Sequence, residues 1–271
     1  MADSETAQHP EDHGGAGARA QPVADGHRLS GPLAELIRLA GQVAEGRVAG
    51  VVDPAWRRRT RGEHRWPVTA SIVAAIVLQI LLSDTLNKPL PHYLLPSLEV
   101  ALGIGLSIAN PVRIERGGTV VRAASIALIV LISAANAVSA ILLVRAILET
   151  LPSTAHAGPL LTSGASIWAT NVIAFGLWYW EFDRGGPVRR AEGTAQHPDL
   201  MFPQMASPEL APPDWEPYFV DYLYLSFTNA TAFSPTDVMP LARWAKMTMA
   251  VQSAVSLLVG ALVIARAVNI L

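Results

Sequence analysis

Residues 221–237 read DYLYLSFTNATAFSPTD, and a long apolar segment over 247–268 follows them. The stretch begins aromatic and apolar, continues through small hydroxyl and amide side chains, and closes on Pro235 and a carboxylate. Helix, break and acid in that order predict a short polar helix among apolar ones. As a full crossing, residues 217–233 are barely long enough and carry Asp221, Thr228, Asn229 and Thr231, each unfavourable in lipid. As a half-crossing they form a re-entrant helix ended by Pro235, tolerated only where neighbouring helices bury it.

The rest of the chain sets the class. Of 271 residues, 51% are apolar and 15% charged, and the apolar ones gather in long runs between charged or Pro-rich connections. Runs of about 18 or more apolar residues are long enough for a hydrocarbon layer of about 30 Å. A net charge of -2, with basic residues clustered beside apolar runs, gives no soluble basic face for nucleic acid. The chain has no Cys, hence no disulfides, thiolate chemistry or Cys-based metal site. No phosphate loop, Ser-His-Asp set or nucleotide fingerprint occurs, so neither an enzyme nor a cofactor is expected.

Residues 1–30 are polar and rich in Gly, Ala, Asp and His, and read as a disordered tail in which His9, His13 and His27 are solvated rather than metal ligands. Residues 31–65 read as a cytoplasmic amphipathic helix with Leu33, Leu36, Ile37, Ala40 and Val43 on one face, followed by a basic juxtamembrane cluster at 57–65. Residues 66–271 read as a transmembrane helix bundle. Its spans are expected at 66–83, 93–109, 123–144, 160–182, 217–233 and 247–268, with a polar, Pro-rich loop over 183–216. Arginines beside spans are held on the cytoplasmic side. Arg57 to Arg65, Arg113 to Arg122 and Arg184 to Arg190 therefore put the N-terminus in the cytoplasm. Arg243 and Lys246 oppose a full crossing by 217–233, since they would then lie outside. The expected fold is an all-α integral membrane protein, a polytopic bundle of about six spans with both termini cytoplasmic and Asp237 in the external turn. The alternative is five spans plus a re-entrant, pore-like helix.

Two families resemble the 221–237 stretch. One is the pore module of two-span potassium channels, in which a short helix ending T-T-V-G-Y-G-D precedes the inner helix. Thr231-Ala232-Phe233-Ser234-Pro235-Thr236-Asp237 aligns with it without a gap, and Leu223, Tyr224, Ser226 and Ala230 look like the pore helix. Ser234, Pro235 and Thr236 replace the Gly-Tyr-Gly whose backbone aims carbonyls at the ion, so the potassium filter is lost. The other is a family of bacterial multi-span membrane proteins, the domain of unknown function numbered 1345. Its C-terminal signature resembles Asp221, Tyr222, Tyr224, Phe227, Thr228, Phe233, Thr236, Asp237 and Val238, then Arg243 and Asn269. That resemblance implies a bacterial inner-membrane location and no particular activity.

Polar residues inside apolar helices carry the functional expectation. Glu99, between Leu98 and Val100, costs about 2.5 to 3.5 kcal/mol at a bilayer centre and must face the interior, be protonated or pair. Asn136 and Asn171 read as interhelical hydrogen-bond partners, and Gln252 and Ser253 as partners for Thr228, Asn229 and Thr231. The leading expectation is a small-ion or small-solute conduit lined by Thr228, Asn229, Thr231, Ser234, Asp237 and Glu99, in which copies of the chain could form a homo-oligomer in the bilayer. The other is a non-transporting membrane scaffold that binds a partner through the tail or the 183–216 loop.

Overall fold

The structure, a computed structural model, describes residues 35–41, 54–83, 94–114, 118–149, 157–195, 197–234 and 237–270. Two compact units divide the chain, Met1–Val52 and Asp53–Leu271. In the first, residues 35–41 are helical with every side chain exposed. The tail over 1–30 lies outside the described residues.

Among the described residues, the second unit is helical apart from a two-residue ladder and one isolated bridge, His64 to Arg113. Its six main helices are α1 (Trp66–Ser83), α2 (Leu94–Ala109), α3 (Thr119–Glu149), α4 (Ala157–Phe182), α5 (Phe219–Ala232) and α6 (Arg243–Ile270). Thr119–Leu148 within α3 and Arg243–Ala265 within α6 are long and apolar enough to cross a bilayer, while α1 and α2 are shorter apolar helices. Helical periodicity decides what each buries. Val68, Ile72, Ala75, Ile76, Gln79 and Leu82 face inward on α1, and Ala245, Met249, Gln252, Ser256, Val259 and Val263 on α6, a repeat of threes and fours. The central α4 packs against α1, α3, α5 and α6. At Gly176 an added Cβ would lie 3.2 Å from Leu223 Cα, so glycine lets α5 approach closely.

The direction of α5 is fixed by its contacts with α4. Trp180 and Phe219 meet edge to face at 6.0 Å, Ser226 Oγ donates to Val172 O at 2.6 Å, and Trp168 and Phe227 meet at 5.9 Å. Thus α5 starts where α4 ends and runs back along it. With 14 residues it extends only about 21 Å. Phe233 then adopts a left-handed conformation, φ 55° and ψ 21°, and Ser234, preceding Pro235, is disfavoured from helix.

From there the chain returns to the end it came from. Strand β1 (Leu200–Met201) pairs antiparallel with β2 (Met239–Pro240). Leu241 N donates to Asp199 O at 2.8 Å, and Trp244 meets Phe182 at 5.6 Å. Helix α6 therefore begins beside the end of α4 and runs antiparallel to it, through Asn171 Nδ2 donating to Ser256 Oγ at 3.0 Å. Residues 217–242 enter and leave the bundle at one end. In the described residues α5 stops part-way and α6 starts at the end where α5 starts, so Asp237 is not at a far-end turn. Within the second unit, the far end of α6 accordingly lies opposite residue 65.

The basic residues at the starts of α1, α3 and α6 and in the 183–192 segment share that one end, whereas Arg145 lies toward the other end of α3. Arg65 N donates to Val112 O at 3.1 Å and Ile114 N to Glu63 O at 3.2 Å, tying the start of α1 to the end of α2. Arg122 of α3 pairs with Glu181 of α4 at 3.7 Å. Arg243 and Lys246 join them through the β1–β2 ladder.

The 183–216 segment, expected as a loop, folds into a cap over this end. It consists of a turn at Asp183–Gly185, a helix at Pro187–Glu192, β1, and short turns at Pro203–Ala206 and Pro208–Leu210. Gly193 closes the cap helix with φ +66°, where an added Cβ would lie 2.7 Å from the Arg58 carbonyl carbon.

Candidate functional site

Helix α5 is built from its cap inward. Tyr218 N donates to Asp221 Oδ2 at 2.8 Å in a reciprocal capping box, so the acid that looked costly in the sequence closes the helix start. One turn on, the α5 amides and hydroxyls meet α4 and α6 in a buried seam. Gln252 is its centre: Oε1 accepts from Tyr179 OH at 2.7 Å and Asn229 Nδ2 at 2.8 Å, and Nε2 donates to Ser226 O at 2.9 Å and Ser226 Oγ at 2.7 Å. Asn229 Nδ2 also donates to Met249 O at 3.0 Å, and Ser253 Oγ to Asn229 Oδ1 at 3.2 Å. Every polar group of Gln252 is occupied, which locks α5 in its short path.

The six expected lining residues do not gather in one place. Asn229 is in the seam, bonded to Gln252 and Ser253 as the sequence suggested. Thr228 Oγ1 is buried and donates to its own helix at Leu225 O, 3.0 Å. Thr231 Oγ1 donates to Phe227 O at 2.9 Å, and its residue is exposed, as are Ser234 and Asp237 on the return segment. These three mark the outer surface of a single chain. Glu99 is wholly buried on α2, away from α5, beside a groove of about 530 Å³ between α1 and α2 that Arg65 also lines.

The cap holds arginines that the sequence placed only by orientation, together with two acids, Asp183 and Glu63, that it did not single out. Asp183 is wholly buried, and its carboxylate accepts from Tyr222 OH at 2.6 Å, Arg184 Nε at 3.1 Å, Asp199 N at 3.2 Å and Leu200 N at 3.3 Å. Arg184 Nη1 reaches Trp56 O at 2.8 Å. Arg190 Nη1 donates to the carbonyls of Trp180 and Asp183, and its guanidinium lies 4.9 Å from the Tyr222 ring. Glu63 accepts from Trp180 Nε1 and from Phe219 N, the latter at 2.8 Å, with Arg190 Nη2 at 3.9 Å. Burial pushes the Glu63 carboxyl above the ordinary carboxylate range, against the pull of Arg190 and the two N–H donors. The cap thus clamps the start of α5 to the end of α4. Its signal in the sequence was WEFDRGG over 180–186, an acid and an arginine directly after an aromatic helix end and before two glycines.

Comparison with known proteins finds no matching family model, no matching curated protein and no matching solved structure. The two resemblances therefore rest on the residues quoted for them.

Proposed function

We propose that the protein is an integral protein of a bacterial inner membrane, with α1, α2, α3, α4 and α6 crossing the bilayer and α5 re-entrant from the cytoplasmic face. We further propose that copies of it assemble a small-ion or small-solute conduit around the α5 tip and its return. Polarity inversion supports the membrane reading. Ile108, Ile141, Leu148, Val251, Leu258 and Ile264 are among many large apolar side chains exposed on the helices, while Gln252, Ser226, Asn229, Ser139 and Glu99 are buried. Gathering Arg57 to Arg65, Arg113, Arg122, Arg184 to Arg190, Arg243 and Lys246 at one end supports a cytoplasmic assignment for that end.

The observation that carries the conduit is the re-entrant unit itself. An outer helix, a short helix ending part-way, a return and an inner helix follow one another in α4, α5, the segment reaching β2 and α6, the order of a pore module entered from the opposite face. Thr231, Ser234 and Asp237 are exposed on that unit, and polar groups facing lipid are costly, so water or another copy is their natural neighbour.

The test is flux of monovalent ions in liposomes holding the purified full chain. Wild-type protein should pass ions, and Asp237→Asn and Thr231→Val should reduce the rate at unchanged thermal stability. No flux under a gradient, with both variants indistinguishable from wild type, would instead favour a non-transporting scaffold whose folded cap receives a partner.

A further inference from the structure

Beside the cap, and separate from the α5 seam, the first four helices enclose a cavity of about 310 Å³. Its two halves differ in chemistry. Val68, Ile72, Leu106 and Leu128 form an apolar floor, whereas Arg65, Arg122 and Arg189 stand at the charged side with Glu181 and Glu192. Three arginines face two glutamates, and Glu181 already balances Arg122 at 3.7 Å. Arg65 is only 8% exposed, and its Nε has no hydrogen-bond partner among the described residues. Arg122 Nε makes no hydrogen bond, its contact with Glu181 being the ion pair at 3.7 Å. Gly118, Thr119 and Val121, in and beside the first turn of α3, complete this side, and the leading amides of a helix have no intrahelical acceptor.

Burying an arginine nitrogen with no acceptor is costly, so the geometry asks for an acceptor from outside the chain. A guanidinium fork suits the oxygens of phosphate or carboxylate. A free inorganic anion would leave the floor against water, while an apolar chain fills it. We infer that this cavity binds an anionic amphiphile, a phosphate or carboxylate head carried on an apolar chain. Arg65 and Arg122 hold the head, and the floor of α1, α2 and α3 takes the first part of the chain. The inference is independent of whether the protein conducts.

Binding is read by thermal stabilisation of the full-length protein in neutral detergent, with farnesyl phosphate, farnesol and inorganic phosphate as probes. Farnesyl phosphate should stabilise, and the other two should stabilise far less. Arg122→Gln, at a half-exposed side chain whose loss the fold can bear, should weaken farnesyl phosphate about tenfold, the scale of one charged hydrogen bond. Ser125→Phe, which fills the cavity without touching a charge, should abolish the effect. Nanodiscs distinguish the source of the head. If phosphatidylglycerol discs block farnesyl phosphate and phosphatidylcholine discs do not, the occupant is a membrane lipid; if neither blocks, it is a soluble amphiphile. Equal stabilisation by farnesol, equal stabilisation by inorganic phosphate, or wild-type affinity in both folded variants overturns the inference.

Discussion

Gln252 shows how much one side chain decides in this fold. It joins α6 to Tyr179 on α4 and to Ser226 and Asn229 on α5, with nothing left over. Interhelical hydrogen bonds in membrane proteins average about 0.6 kcal/mol, so three partners lost give about 2 kcal/mol. Gln252→Leu should lower unfolding stability by that order in detergent titrations, with α5 loosened before the other helices. This pairing could be anticipated from the sequence, because an amide inside an apolar helix needs a partner and Asn229 lies in the polar stretch directly before that helix. The WEFDRGG run marked Asp183 with Arg184, but Tyr222 on Asp183 and every partner of Glu63 lie farther along the chain, and only folding of the cap brings them together. Glu63 carries a pH prediction. Its folded pKa is raised by burial above 4.5, so the folded state binds its proton more tightly than the unfolded state. Its contribution is complete below the unfolded pKa and is lost as pH rises through the folded one. Glu63→Gln does not titrate, so its stability relative to wild type should rise as pH climbs from the unfolded carboxylate range through the raised folded pKa. A constant difference across that range would show that Glu63 keeps its ordinary pKa.

At the scale of elements, helix positions were legible and the path of α5 was only partly so. Expected apolar runs at 66–83, 93–109 and 160–182 fall on α1, α2 and α4 because composition and length suffice to mark them. The direction of the chain after α5 depends on the two-residue β1–β2 ladder, which carries no periodicity to read. A conflict was nevertheless visible: a complete passage by 217–233 separates Arg243 and Lys246 from the other arginines. The return segment resolves it by bringing both to the common basic end. The backbone bond from Leu241 N to Asp199 O helps hold that return, while the Leu241 side chain is exposed. Leu241→Pro removes the donor and should cost about 1 kcal/mol and speed proteolysis within 233–242, whereas Leu241→Ala should leave both near wild type. Equal behaviour of the two variants would mean that the ladder does not anchor the return.

At the scale of the whole molecule, the second unit exposes large apolar side chains on its helices and buries several polar ones within an apolar core, capped at one end by a buried network of Asp183, Arg184, Arg190 and Glu63. The cap, the start of α5 and the start of α6 meet there, so a single clamp sets the depth of the short helix. A re-entrant α5 must enter and leave by that end. Because the chain has no cysteine, single-cysteine variants report side directly. Arg189→Cys and Asp237→Cys, both at exposed positions, should react with a membrane-impermeant maleimide from one and the same side, in inverted vesicles and not in intact cells. Labelling of residue 237 in intact cells, with residue 189 protected there, would contradict the re-entrant path and restore a complete passage by α5.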